Sequence, residues 1–166
     1  MMTRSRSSAG AASPLRTAAL LVGAVFLVVG ILGFVPGVTT GYDAMTFAEH
    51  DSGAELFGVF QVSVLHNIVH LLFGVAGIAM SRTAPTARSY LVGGGLIYLV
   101  LWLYGLLVDL GSDANFVPVN KPDNWLHFGL GLAMLLMGLF LGRAAGAPGA
   151  PDPAVRPWCP QGRTGS

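Results

Sequence analysis

Polar and apolar positions along this chain fall into long blocks rather than alternating. Four runs, 17–35, 61–80, 90–110 and 125–142, are predominantly apolar and hold no Arg or Lys, and the only acid within them is Asp109, at the end of the third. About 20 such residues are needed to cross ~30 Å of hydrocarbon as a helix. In lipid every backbone polar group must be satisfied internally, which predicts helix for all four. Strands of a closed barrel would alternate over about ten residues, and these runs do not. The expected fold class is an all-α integral membrane protein with four transmembrane helices over residues 16–142.

The remaining segments differ in kind. Residues 1–15 are rich in Ser, Ala and Arg, and residues 143–166 in Pro and Gly. Neither buries enough apolar surface to offset ordering, so both read as flexible tails. The first connection, 36–60 (PGVTTGYDAMTFAEHDSGAELFGVF), mixes turn residues and acids with Tyr42, Phe47, Phe57 and Phe60. It reads as a folded cap on the outer surface, with a short amphipathic helix starting at Ser52.

Composition and charge sharpen this picture. Charged residues make up 10% of the chain and hydrophobic residues 53%, against roughly 25% charged in a soluble domain. Arg4, Arg6 and Arg16 precede the first run, Arg82 and Arg88 join the second to the third, and Arg143, Arg156 and Arg163 follow the fourth. The first connection carries Asp43, Glu49, Asp51 and Glu55, and the third Asp113, Asp123 and Lys121. Basic connections stay cytoplasmic, so both termini are expected inside. Thr17 to Val35 is long for a signal peptide and FVPGVTTG lacks an A-x-A site, so the first run is expected to remain as a span. Cys159 is the single cysteine, which excludes an internal disulfide and leaves a reduced thiol.

Two hairpins in tandem are suggested by local similarity. LVG occurs at 21–23 and 91–93. One register pairs Asn67-x-x-His70-x-x-x-Gly74 with Asn124-x-x-His127-x-x-x-Gly131; another pairs Leu65-His66 with Leu126-His127 and Gly77 with Gly138. The two registers exclude one another, and both remain open at this point. The blocks FVPGVTTGYD, LFGVFQVSVLHNIVHLLFGVAG and NWLHFGLGLAML resemble the actinobacterial membrane family catalogued as domain of unknown function 4383, over about residues 16–142. The resemblance implies a four-span membrane protein, and the expected location is the bacterial plasma membrane. It brings no activity and no catalytic residues.

The candidate chemistry lies in the second and fourth runs. At 1.5 Å per residue His66 lies ~7 Å and His70 ~13 Å below the outer boundary, and His127 ~3 Å. With Asn67, Asp109 and Asn124 they form a candidate polar cluster in the outer half of the bundle. His66, His70, Gly74 and Gly77 share one helical stripe, as do Asn124, His127, Gly131, Gly138 and Gly142. Small residues permit close helix approach, so these stripes are expected to face inward. The structural expectation is interhelical bonding, with His70 to a backbone carbonyl and His127 to Asp109 or Asn67. The alternative is a metal site or a bis-His haem clamp from His66, His70 and His127; a proton relay through histidine and Asp109 is a further alternative. His50, in AEHD, reads as part of a solvated charged turn. Gly93-Gly94-Gly95 lacks the lysine of a phosphate loop and reads as close packing. Tyr98, Trp102 and Tyr104 read as packing or interface residues.

No nucleophile–base pair, intramembrane carboxylate pair or nucleotide motif is present in the sequence. The expected role is non-enzymatic: a small multi-pass protein, structural or accessory to a membrane assembly, without cofactor. Its expected partners are the bilayer and either a membrane protein or further copies of itself, with no nucleic acid.

Overall fold

A computed structural model describes residues 13–48, 51–116 and 119–144, with side chains to residue 141. Four helices carry the fold: α1 (Pro14–Leu32), α2 (Val64–Met80), α3 (Ala84–Leu107) and α4 (Lys121–Ala144). Between α1 and α2 lie three short strands, β1 (Thr39–Thr40), β2 (Glu55–Leu56) and β3 (Phe60–Gln61), paired antiparallel in the order β1-β2-β3. The expected tails are cut differently, because Pro14 and Leu15 already belong to α1 and Leu15 is buried in the core. Ser13 caps α1, and Arg143 and Ala144 belong to α4; residues 1–12 and 145–166, with His50 and Cys159, lie outside the described residues.

Helix starts follow from local capping. Ser13, Ser63 and Thr83 each accept a backbone N–H three residues on, from Arg16, His66 and Thr86, satisfying donors that a helix start leaves open. α1, α3 and Lys121–Leu141 of α4 are long and apolar enough to cross a membrane, whereas α2 is apolar but has 17 residues. The predicted span 61–80 is shorter because Gln61 is taken into β3, and the Val62 amide donates to the Ala54 carbonyl at 3.0 Å. The helix expected from Ser52 is absent. That segment is the β2–β3 hairpin, with Ser52 donating to the Val62 carbonyl at 2.5 Å. Its turn holds Phe57 at φ 57° and Gly58 at φ 67°, the two positive φ values of a type I′ turn.

The helices pair as two antiparallel hairpins, α1 with α2 and α3 with α4. Glycines set both contacts. A Cβ on Gly74 would lie 2.6 Å from the Leu27 amide nitrogen, and one on Gly131 3.0 Å from Leu99 N. At one end the Arg16 side chain donates to the Ser81 carbonyl at 3.0 Å. At the other, the cap has its own small core of Ala54, Leu56 and Val62, packed on Val29 and Leu32 of α1.

The contacts also choose the repeat register. Asn67 lies against Gly33 and Gly74 against Gly23; in the other hairpin Asn124 lies against Gly105 and Gly131 against Gly95. Gly23 and Gly33 stand as far apart in the chain as Gly95 and Gly105. The pairing of Asn67, His70 and Gly74 with Asn124, His127 and Gly131 is therefore the one with equivalent surroundings. Both hairpins run in the same sense, as in parallel repeats about an axis along the membrane normal.

Candidate functional site

The two hairpins meet through a row of rings. His70 packs on Phe26 at 5.4 Å between centroids, Phe26 on Tyr98 at 5.3 Å, and Tyr98 on His127 at 5.2 Å. Phe26 stands three residues after Gly23 and Tyr98 three after Gly95, so the row obeys the repeat. His66 extends it, stacked on His70 at 4.3 Å and 12°.

Of the six candidate residues, only His66, His70 and His127 come together, around Tyr98. Asn67 is buried toward α1, its amide nitrogen 3.9 Å from the Met45 sulfur. The buried stripe of α2 is Asn67, His70, Gly74 and Gly77. Three of the four expected members are thus in the buried stripe, and the fourth place is taken by Asn67, with His66 half-buried at the edge. Asn124 is buried against Gly105, and its Oδ1 has no hydrogen-bond partner among the described residues. Asp109 does not join the cluster. α3 ends at Leu107, Val108 is extended, and Asp109 is exposed with Oδ1 accepting the Gly111 N–H at 3.1 Å. An aspartate in a turn takes its own backbone as partner, and Gly111 and Ser112 supply that turn.

The expected bond from His127 to Asp109 or Asn67 is accordingly not formed, and His127 Nδ1 is buried without a hydrogen-bond partner among the described residues. His70 Nδ1 lies 3.0 Å from the His66 carbonyl oxygen. This is a bond to a backbone carbonyl, but within α2 rather than between helices. A carbonyl only accepts, so Nδ1 carries the proton, and Nε2 of the neutral ring is an acceptor.

The metal and haem alternatives meet this geometry poorly. Among the described residues no group of three or more His, Cys, Asp or Glu is placed to hold a metal ion. His66 and His70 are packed face to face rather than converging on a point. A bis-His clamp needs a flat slot between two imidazoles, and the rings of Phe26 and Tyr98 bridge the space from His70 to His127.

Two cavities flank the row. One of about 250 Å³ lies between α2 and α3, walled by Val69, Ile97 and Leu101 with His66, His70, Tyr98 and His127. The other, about 90 Å³, lies under the cap, where Phe57, Phe60 and Asp123 join the same four rings.

Asp123 is a functional group that periodicity does not single out. It is buried, and its Oδ2 accepts the backbone N–H of Gln61 at 3.0 Å and of Asn120 at 3.1 Å. Asn120 Oδ1 in turn accepts the Asp123 N–H at 2.9 Å. This is a reciprocal cap of α4 that also fastens β3, and Asn120-x-x-Asp123 is its signal in the sequence. Asn120 Nδ2 adds a bond to the Val59 carbonyl at 2.8 Å.

Helices of this length and hydropathy, with polar side chains turned inward, define a membrane protein. The chain matches the family described as Domain of unknown function (DUF4383) over residues 16–140, and it belongs to that family. No curated protein matches it, and no solved structure does.

Proposed function

We propose that this protein is a non-enzymatic accessory of a larger assembly in the bacterial plasma membrane, with the cap outside and both termini in the cytoplasm. The observation that carries this reading is how the buried acid is used. Asp123, the only carboxylate buried among the described residues, spends its hydrogen bonds on backbone amides that join cap to bundle. Its role is to hold a shape. Orientation follows from charge, because Arg16, Arg82 and Arg88 lie at the end opposite the acidic cap.

Chemical cross-linking in native membranes followed by affinity capture of the full chain tests the proposal. A defined set of membrane proteins recovered at constant ratio is the expected result. Recovery of the chain alone, at every cross-linker concentration, overturns it.

A further inference from the structure

The larger cavity does something a packing defect does not: it joins the lipid-facing surface to the histidines. Val69 and Ile97 stand on its two walls and are 50% and 54% exposed. Both belong to helices read as membrane-embedded, so the mouth faces hydrocarbon. The seam arises because α2 packs on α1 and α3 on α4, with little direct contact between α2 and α3. Away from the cap it is closed by Tyr90, whose ring meets Phe73 at 5.0 Å and lies against Gly77.

The back of this recess is polar in a defined way. His70 Nδ1 donates to the His66 carbonyl, which leaves Nε2 as an acceptor. His127 forms another part of the wall, is 4% exposed, and has Nδ1 unpartnered among the described residues. A buried polar atom without a partner, as His127 Nδ1 is, is costly, and a ligand group that completes it is favoured. An acceptor on His70 calls for a donor on the ligand, and an uncharged donor that enters through lipid is a hydroxyl. The aromatic wall of Tyr98, with the stacked rings of His66 and His70, suits a ring or an unsaturated chain.

We infer that the recess between α2 and α3 binds a membrane-soluble molecule that carries a hydroxyl group on a lipophilic body. The hydroxyl meets His70 and His127, and the body lies between Val69 and Ile97 with its remainder in the bilayer. An isoprenoid alcohol and a quinol share this chemistry. The inference extends beyond the accessory role, since a chain can bind such a molecule whatever assembly it serves.

The test uses the full chain in phosphatidylglycerol nanodiscs with two radiolabelled probes, farnesol and a decyl hydroquinone kept reduced under argon, each compared with its methyl ether. Saturable binding of at least one hydroxyl probe is expected, weakened about tenfold in the ether. His70→Phe keeps a ring on Phe26 and should erase the difference between alcohol and ether. Ile97→Trp, and independently Val69→Trp from the other wall, should abolish saturable binding. Farnesol alone assigns the source as an isoprenoid alcohol, the hydroquinone alone as a quinol, and both together show that the hydroxyl is what is read. No saturable binding by either probe overturns the inference, as do ethers that bind equally well or both tryptophan variants binding like the wild type.

Discussion

The rings of Phe26 and Tyr98 meet at 5.3 Å, and each is backed by a histidine from the partner helix of its own hairpin. This contact joins the two halves of the molecule at equivalent positions. It makes the imidazoles part of an aromatic layer, and their hydrogen bonding becomes secondary to their packing.

His70→Leu should therefore cost little. The bond from Nδ1 returns to the His66 carbonyl on the same helix, so its loss strands no partner on another helix. The expected destabilisation is below ~1 kcal/mol, read as the thermal midpoint in detergent, with unchanged abundance in membranes. A collapse in abundance would mean that the imidazole holds the fold.

Asp123→Ala should be far more damaging. It removes the acceptor of two backbone amides around a buried site, and each unsatisfied amide costs ~1–3 kcal/mol. Faster hydrogen exchange at Gln61 and Asn120 than in the wild type is the expected signature. Asp123→Asn retains one acceptor oxygen and should fall between the two.

The three consecutive glycines of α3 should separate. A Cβ on Gly93 meets nothing within 4 Å; on Gly94 it meets the Met134 methyl and the Phe73 ring at 2.6 Å; on Gly95 it meets the Leu135 amide nitrogen at 2.7 Å. Gly93→Ala should gain up to ~1 kcal/mol from reduced backbone entropy. Gly94→Ala should cost about 1 kcal/mol or more, because the end of Met134 can move aside whereas the Phe73 ring is held by Phe26 and Tyr90. Gly95→Ala should cost about 2 kcal/mol or more, since backbone must move. The order of the three thermal midpoints checks the claim.

Phe57 carries a bulky side chain at φ 57°, a conformation that costs a non-glycine residue roughly 1–2 kcal/mol. Phe57→Asn places the preferred residue before Gly58 in a type I′ turn. It should raise stability by about 1 kcal/mol, measured by thermal unfolding.

Topology is open to direct labelling. In a Cys159→Ser background, Asp51→Cys should react with an impermeant maleimide on intact cells, and Arg82→Cys only after permeabilisation. The opposite pattern would reverse the proposed orientation.

Much of the fold was legible because lipid imposes one requirement on every residue of a span. The inward stripe of α4, with Asn124, His127, Gly131 and Gly138 buried, is readable from spacing alone. On α2 the expected stripe holds at His70, Gly74 and Gly77 and differs only at its first member, since His66 and Asn67 are both polar and adjacent, and only the close approach of Gly33 selects Asn67. Asp109 was misplaced because hydropathy continues through Val108 and Leu110, whereas the helix yields to a turn built by Gly111 and Ser112. The cap escaped detail because its strands are two residues each, too short for periodicity to register. The ring row was invisible for a different reason: Phe26 and Tyr98 look like ordinary apolar residues until the repeat register sets them opposite one another.

The brevity of α2 has a consequence for the surrounding membrane. Its 17 residues rise about 26 Å, against about 36 Å for the 24 of α3. Acyl chains along the α2 face must thin to match, or the whole protein must lean. Local thinning would bring the glycerol level down toward the end of α2 that carries Val69, one wall of the recess.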